Sequence, residues 1–146
     1  MKPILGCGLV VALLASGASA ASSAQQSPQA GARTHAQNYK DMVLATCIAN
    51  AYKHDGDAAL DAGSSVSALR DWSVYDLERS PDSLKALVDL YLKRDYTNPL
   101  VESQIKGVRF DLLKCLDLYH SQELEALVKD VVIDPERTYR QDASTE

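Results

Sequence analysis

The stretch Arg94–His120, RDYTNPLVESQIKGVRFDLLKCLDLYH, joins a polar, turn-rich segment to a strongly apolar one. Pro99 has no backbone N–H and restricts the residue before it, so a preceding helix must end near Tyr96. After Gly107, apolar residues recur at helical spacing and predict a helix with one stripe that faces a core. The stripe consists of Val108, Leu112, Cys115, Leu116 and Tyr119. This stretch therefore predicts two helices separated by a loop.

The first twenty residues have the features of a secretory signal peptide. Lys2 precedes an apolar run from Ile4 to Leu14, and Ala18-Ser19-Ala20 provides small residues for cleavage. The run is shorter than the roughly 20 residues that span a bilayer, and no later stretch is longer. Cys7 only loosely resembles a lipoprotein cleavage box, because little hydrophobic sequence precedes it. We expect an exported protein that is not embedded in a membrane.

The charge of the exported chain argues against nucleic acid as a partner. Removal of residues 1–20 takes away Lys2 and no acidic residue, which leaves 14 basic and 20 acidic side chains and a net charge of −6. An acidic protein is repelled by polyanions and attracted to basic proteins. An acidic surface that only interacts with solvent explains the same composition.

Two cysteines, Cys47 and Cys115, follow the signal peptide. A single pair of cysteines in an oxidising compartment tends to form a disulfide, which we predict here. In the loop-entropy model such a bond stabilises the fold by about 4 kcal/mol. Two free buried thiols are the alternative. A catalytic thiol at Cys115 fits less well, because the neighbouring leucines predict burial and burial disfavours the thiolate.

The sequence predicts one domain with short terminal extensions. Residues 21–34 are mostly small and polar and cannot bury enough surface to offset the entropy of ordering, so they form a flexible leader. Residues 35–142 form a single all-α domain, which is too short for two cores. Residues 143–146 are expected to form a disordered tail.

Periodic apolar residues predict a compact all-α bundle of five or six helices, with no strand alternation. Gly63, Ser64 and Ser65 are expected to divide a short helix, capped by Asp57, from a longer one that contains Trp72. Ser80-Pro81 predicts another helix start, and Ser121 predicts the cap of the last helix. The predicted helices are Ala36–Lys53, a segment from Asp57 to Ala62, Ser65–Arg79, one that follows Ser80, the Cys115 helix and Gln122–Val132.

No arrangement of residues typical of catalysis is present in the sequence. The three histidines, His35, His54 and His120, have no second ligand at helical spacing, and there is no Cys-x-x-Cys pair. The sequence also has no nucleophile elbow, phosphate-binding loop or dinucleotide fingerprint. We therefore predict no catalytic residue, no metal site and no cofactor, and we expect an inhibitor or a binding protein.

Three parts of the chain resemble a known family. They are NYKDMVLATCIANAYK from Asn38, DAGSSVSALRDWSVYDLE from Asp61, and the opening stretch with its continuation to PERTYRQD. Together they resemble the type VI secretion amidase immunity proteins, in particular the family paired with the class-four amidase effectors. The resemblance extends from about Tyr39 to Asp142.

The resemblance implies an all-α periplasmic immunity protein of a Gram-negative bacterium that forms a homodimer. Its implied partner is a papain-like peptidoglycan amidase, which cleaves the peptide stems of the cell wall. The immunity protein would occlude the active-site cleft of the amidase and catalyse no reaction. A periplasmic accessory protein or chaperone without a toxin partner is the alternative, and the neighbouring gene would separate the two.

A protein that fills a cleft needs aromatic and charged side chains on a rigid surface, and two sets of residues fit this requirement. The first set, on the helix predicted around Trp72, is Arg70, Asp71, Tyr75, Glu78 and Arg79. The second set, on the loop Arg94–Gln104, is Arg94, Tyr96, Asn98 and Glu102. An acidic residue that reaches the catalytic histidine of the amidase is a further hypothesis, with Asp71, Glu78 or Glu102 in that role.

Overall fold

The computed structural model describes residues 27–145, and the predicted all-α fold is confirmed. In this range five helices have nine residues or more, and two are short. The helices are α1 (His35–Ala51), α2 (Gly56–Arg70), α3 (Ser80–Leu92), α4 (Pro99–Glu102), α5 (Asp111–Tyr119), α6 (Gln122–Val131) and α7 (Tyr139–Ala143). The predicted signal peptide, Cys7, residues 21–26 of the leader and Glu146 lie outside the described residues.

The described end of the predicted leader packs against α1. Gln29–Ala32 form a turn of 3-10 helix, and Ala30 is only 2% exposed. The side-chain amide of Asn38 donates to the carbonyl of Ala30 over 2.9 Å. The ordered part of the chain therefore begins before residue 35, because a buried polar side chain of α1 binds the preceding backbone.

Helix α1 is the central element of the bundle, and the predicted disulfide ties it to α5. Thr34 and Gln37 form a capping box at its start. Tyr39, Val43 and Cys47 are fully buried, as their spacing predicts. The bond between Cys47 and Cys115 is present, with the two Cα atoms 5.6 Å apart. The first helix is thereby linked covalently to the helix of the opening stretch.

The predicted break in α2 is wrong. The helix runs without interruption through Gly63, and the hydroxyls of Ser64 and Ser65 donate to the carbonyls four residues earlier. Asp55, not Asp57, accepts the capping hydrogen bond at its start. A serine hydroxyl that donates to a carbonyl of the same helix has its hydrogen-bonding need met without a break in the helix. The low helix propensity of this segment therefore does not end α2.

The predicted helix around Trp72 is also wrong beyond Arg70. Residues 72–79 form turns and one isolated β-bridge between Tyr75 and Val132. The N–H of Asp76 donates to Val131, and the N–H of Ile133 donates to Val74. These bonds to the end of α6 replace the bonds that a helix would make within itself, so tertiary contacts override the local pattern.

Helix α3 begins at Ser80, close to the predicted start, but ends at Leu92 and not near Tyr96. The Ser80 hydroxyl shares a buried hydrogen bond of 2.7 Å with the Tyr39 hydroxyl. The carboxylate of Asp76 accepts from the N–H groups of Glu78 and Arg79. Asp76 thus binds the free backbone donors before the helix, which leaves Ser80 to connect α3 with α1.

The predicted orientation of the Cys115 helix is wrong. Leu112, Leu113 and Leu116 are 47%, 46% and 39% exposed, although two of them belong to the predicted core stripe. The buried residues of α5 are Asp111, Lys114, Cys115 and Leu118. The disulfide holds Cys115 on the inner side, where Asp111, four positions earlier, and Leu118, three positions later, share its face. Lys114 is also buried and donates a hydrogen bond to Asp111. Two charged residues therefore face inward, while three leucines face outward.

The chain ends with α6 and a short helix that contacts the N-terminal turn. Ser121 caps α6 through the N–H of Leu124, as predicted. Thr138 and Gln141 form a capping box for α7, which was not predicted. Tyr139, the first residue of α7, is 47% exposed. The predicted disordered tail starts within α7, since Ala143 is its last residue.

Candidate functional site

The second predicted set of residues lies on the connection from α3 to α5, residues 93–110. The side chain of Asn98 caps α4 by accepting from the N–H of Leu100 over 3.0 Å. Gly107 has φ +76°, a value that glycine adopts without strain. Phe110 has φ +54°, which is uncommon for a bulky residue and is often found at functional positions.

Three members of this set, Arg94, Tyr96 and Glu102, line one cavity with a volume of about 360 Å³. We call it the polar pocket. Its other principal lining residues are Lys93, Asp95, Thr97, Arg109 and Lys114. Asn98 does not line the polar pocket and borders an apolar cavity of about 370 Å³ beside Phe110 and Leu113. The structure thus brings together three of the four predicted loop residues.

A buried ion pair lies under the polar pocket. The ammonium of Lys114 donates to one oxygen of Asp111 over 2.9 Å and to the carbonyl of Leu92 over 3.3 Å. The guanidinium of Arg109 donates to the other oxygen of Asp111 over 2.5 Å. Burial by itself raises the pKa of Asp111, but the hydrogen bonds from Lys114 and Arg109 outweigh it, so the pKa is lowered. Asp111 is therefore a fully bonded carboxylate.

Aromatic and polar contacts hold the loop side chains in place. The guanidinium carbon of Arg94 lies 3.5 Å from the centroid of the Tyr91 ring. The Tyr96 hydroxyl donates to Asp117 over 2.6 Å, and this bond raises the pKa of Tyr96. Hydrogen bonds from Thr97 lower the pKa of Asp95. Arg94, Asp95 and Tyr96 are thus held by contacts within the chain itself.

Beside the polar pocket lies an apolar groove, which the sequence analysis missed. It has a volume of about 520 Å³, and we call it the leucine groove. It shares Gly107, Val108 and Arg109 with the polar pocket. Its other principal lining residues are Tyr52, Phe110, Leu112, Leu113 and Leu116. Exposed apolar surface of this kind in a folded domain is typical of protein-binding sites.

The first predicted set is split between exposed and structural roles. Tyr75 packs edge-on against Tyr39, with ring centroids 5.2 Å apart. Arg79 donates two hydrogen bonds of 2.6 Å to Asp130 of α6. Arg70, Asp71 and Glu78 are exposed. Tyr75 and Arg79 thus make contacts within the fold, while the side chains of the other three make no hydrogen bond or ion pair among residues 27–145.

The described residues offer little for catalysis. Cys47 and Cys115 are bonded to each other, so Cys115 has no free thiol for nucleophilic attack. Between residues 27 and 145 no group of three or more His, Cys, Asp or Glu side chains is placed to hold a metal ion. Within the same range, no helix combines the length and hydropathy of a membrane span.

A family model for Tai4, the type VI secretion system (T6SS) amidase immunity protein, matches residues 37–128. The chain belongs to this family. The match runs from the first turn of α1 into α6 and includes the polar pocket, the leucine groove and both cysteines. The resemblance deduced from the sequence is confirmed. No curated protein sequence matches the chain.

The solved structures that are similar to this chain include the following two. One, from work on new type VI-secreted toxins and self-resistance proteins in Serratia marcescens, has a TM-score of 0.72 at 28% identity. The alignment covers 83% of this chain and 95% of that one. The other comes from the effector–immunity system Tae4/Tai4 of Salmonella typhimurium, with a TM-score of 0.61 at 24% identity. This second alignment covers 71% of the present chain and 95% of the Salmonella chain. At this identity it supports the fold.

The sequence contained a partial signal for the residues that were missed. Asp111 and Lys114 stand three positions apart in an otherwise apolar segment, a spacing at which opposite charges pair on a helix. If this pair is assumed to lie on the same side of the helix as Cys115, the sequence predicts that Leu112, Leu113 and Leu116 face outward. Arg109 had no such signal, because its role depends on the loop conformation before α5.

Proposed function

We propose that this protein is the immunity partner of a type VI secreted peptidoglycan amidase, which it inhibits by binding over the active-site cleft. The match of the Tai4 family model to residues 37–128 carries the proposal. On this proposal the protein acts by binding alone and catalyses no reaction. Its place of action is the periplasm, where the predicted signal peptide would deliver it.

We place the amidase-binding surface on the α3–α5 connection and the adjoining side of α5. The polar pocket and the leucine groove lie side by side there and combine fixed charges with exposed apolar area. Protein interfaces combine an apolar centre with charged and aromatic residues at fixed positions. Arg94, Tyr96, Asn98 and Glu102 remain contact candidates on this surface.

On the α3–α5 surface, Glu102 is the candidate for an acidic side chain that reaches the catalytic histidine of the amidase; Asp71 or Glu78 has this role only if the first set of residues covers the cleft instead. Both are exposed, whereas Glu102 is half-buried and lines the polar pocket. A carboxylate must extend from the surface to enter a cleft, so Glu102 would have to leave its present position. Arg70 lies on the same segment as Asp71 and stays a candidate contact.

The family resemblance also implies a homodimer, and we include it in the proposal. Light scattering of the mature protein would then give twice the mass of one chain. This measurement does not depend on the amidase, so it tests the dimer separately from inhibition.

The proposal is tested by mixing the mature protein with the amidase encoded by the neighbouring gene. We expect the two proteins to co-elute in size-exclusion chromatography under non-reducing conditions. Cleavage of peptidoglycan fragments should stop in proportion to the complex formed. Separate elution at micromolar concentration would contradict the proposal and favour the accessory-protein alternative.

A further inference from the structure

The ammonium of Lys114 has a hydrogen-bond donor to spare at the floor of the polar pocket. The side chain is only 5% exposed, yet it lines the pocket. Of its three N–H donors, one is bonded to Asp111 and one to the carbonyl of Leu92. A buried cation gains from every additional acceptor, because lost hydration is costly. The third donor has no hydrogen-bond partner among the described residues, and the nearest aromatic ring, that of Tyr96, has its centroid 5.9 Å from Nζ.

The charges around the pocket favour an anion. Lys93, Arg94, Arg109 and Lys114 line it, against Asp95 and Glu102 in the lining and Asp111 beneath it, which pairs with Arg109 and Lys114. Asp95 already accepts from the N–H of Thr97 and from its hydroxyl. Among the described residues, Lys93 and Arg94 make no ion pair within 4 Å. The pocket thus has an excess of positive charge in a chain whose net charge is −5.

Arg94 gives the pocket a preference for a planar anion. Its guanidinium stacks on the Tyr91 ring and is held before a ligand arrives. A guanidinium presents parallel N–H groups that match the two oxygens of a carboxylate. The adjoining leucine groove supplies the apolar area that a protein partner needs, and a small free anion would leave it exposed.

We infer that the polar pocket receives the carboxylate of an Asp or Glu side chain on the amidase. Arg94 and Lys114 would bind its oxygens while neighbouring apolar residues of the amidase cover the leucine groove. This inference rests on the proposed function and adds the chemistry of the contact. It also assigns a binding role to Lys114, which the sequence analysis did not single out.

The test compares two charge-removing variants of the mature protein. Arg94→Gln removes the stacked guanidinium, while Lys129→Gln removes an exposed charge in the last turn of α6. We expect Arg94→Gln to weaken amidase binding about tenfold or more in calorimetry, and Lys129→Gln to change it less than about twofold. Arg94→Lys should fall between them, because it keeps the charge and loses the planar fork. Circular dichroism of each variant checks that it is folded.

The carboxylate is identified from the amidase side. Each exposed Asp and Glu of the amidase is changed to Asn or Gln and tested against the wild-type protein and Arg94→Gln. One acidic position should weaken binding to the wild type and have no further effect on Arg94→Gln, as expected for a directly coupled pair. Equal affinity of Arg94→Gln and the wild type, or the absence of any coupled position, would overturn the inference and leave the proposed function standing. Failure of the wild type to bind the amidase would overturn both.

Discussion

The ring nitrogen Nε2 of His35 lies 2.7 Å from an oxygen of Asp142 and donates a hydrogen bond to it. This bond joins a fully buried residue at the start of α1 to the last described helix, 107 positions later. The other ring nitrogen, Nδ1, lies 3.3 Å from the carbonyl oxygen of Trp72. Asp142 also accepts from Arg137 over 2.6 Å. The hydrogen bond between His35 and Asp142 thus holds the C-terminal helix against the start of α1.

This contact makes a part of the stability dependent on pH. Hydrogen bonds from Arg137, and secondly from His35, lower the pKa of Asp142 below the value of 3.8 for a free side chain. A carboxylate whose pKa is lowered by folding stabilises the fold at pH values above its unfolded pKa. The stabilisation is lost as the pH falls through the folded pKa. We expect Asp142→Asn to lower the melting temperature at pH 7, and the difference from the wild type to shrink below about pH 4.

Thermal unfolding followed by fluorescence measures this difference, because Trp72 is the single tryptophan and its carbonyl belongs to the same corner. Asp61→Asn is the matched control, since Asp61 is exposed on α2 and its carboxylate makes no ion pair among residues 27–145. A constant difference between wild type and Asp142→Asn from pH 7 to pH 2 would show that the charge of Asp142 does not contribute.

The disulfide between Cys47 and Cys115 should provide a large share of the stability. It closes a separation of 68 residues, and the loop-entropy model gives about 4 kcal/mol for a loop of this length. We expect the double variant Cys47→Ala, Cys115→Ala to lose about 2–5 kcal/mol of unfolding free energy in urea titrations. Reduction of the wild type should have a comparable effect and should leave the double variant unchanged. Equal stability of oxidised and reduced wild type would refute this prediction.

Sequence reasoning succeeded where one physical effect determines the structure. Helices α1, α3 and α6 have strong apolar periodicity and clear boundary signals, so their positions could be predicted to within a few residues. The disulfide followed from an exported chain with two mature cysteines. The loop residues Arg94, Tyr96 and Glu102 could be selected because aromatic and charged side chains cluster between two helices.

The errors lie where distant parts of the chain compete with local preference. Residues 72–79 bond to the end of α6 and to α1, which no local pattern reveals. The orientation of α5 depends on the disulfide and on the pair of Asp111 with Lys114, and not on the leucine stripe. Two inward charges and outward leucines contradict binary patterning, and such violations concentrate at functional sites.

The ion pair of Asp111 with Lys114 should be costly to break and less costly to replace. Both residues are buried, at 9% and 5% exposure. Removal of one partner leaves an uncompensated charge, so we expect Lys114→Met to lose about 3–5 kcal/mol of unfolding free energy. The double variant Asp111→Leu, Lys114→Met leaves no unpaired charge and should recover a part of this loss. Urea titrations of the wild type, both single variants and the double variant give the coupling energy. Additive losses would contradict a direct interaction.

The outward leucines of α5 should serve binding and not folding. Leu112 and Leu116 are substantially exposed, so Leu112→Ser and Leu116→Ser should each change the unfolding free energy by no more than about 0.5 kcal/mol. Loss of apolar contact area should weaken the amidase complex in calorimetry. Leu60→Ser, at a more exposed leucine of α2 that lines neither cavity, is the control and should leave binding unchanged. Light scattering of the wild type and of the two leucine variants, without the amidase, shows whether the amidase or a second copy of this chain covers the leucine groove. If the variants halve the mass of the free protein, the groove is a contact between two copies of this chain and not the amidase surface that we propose.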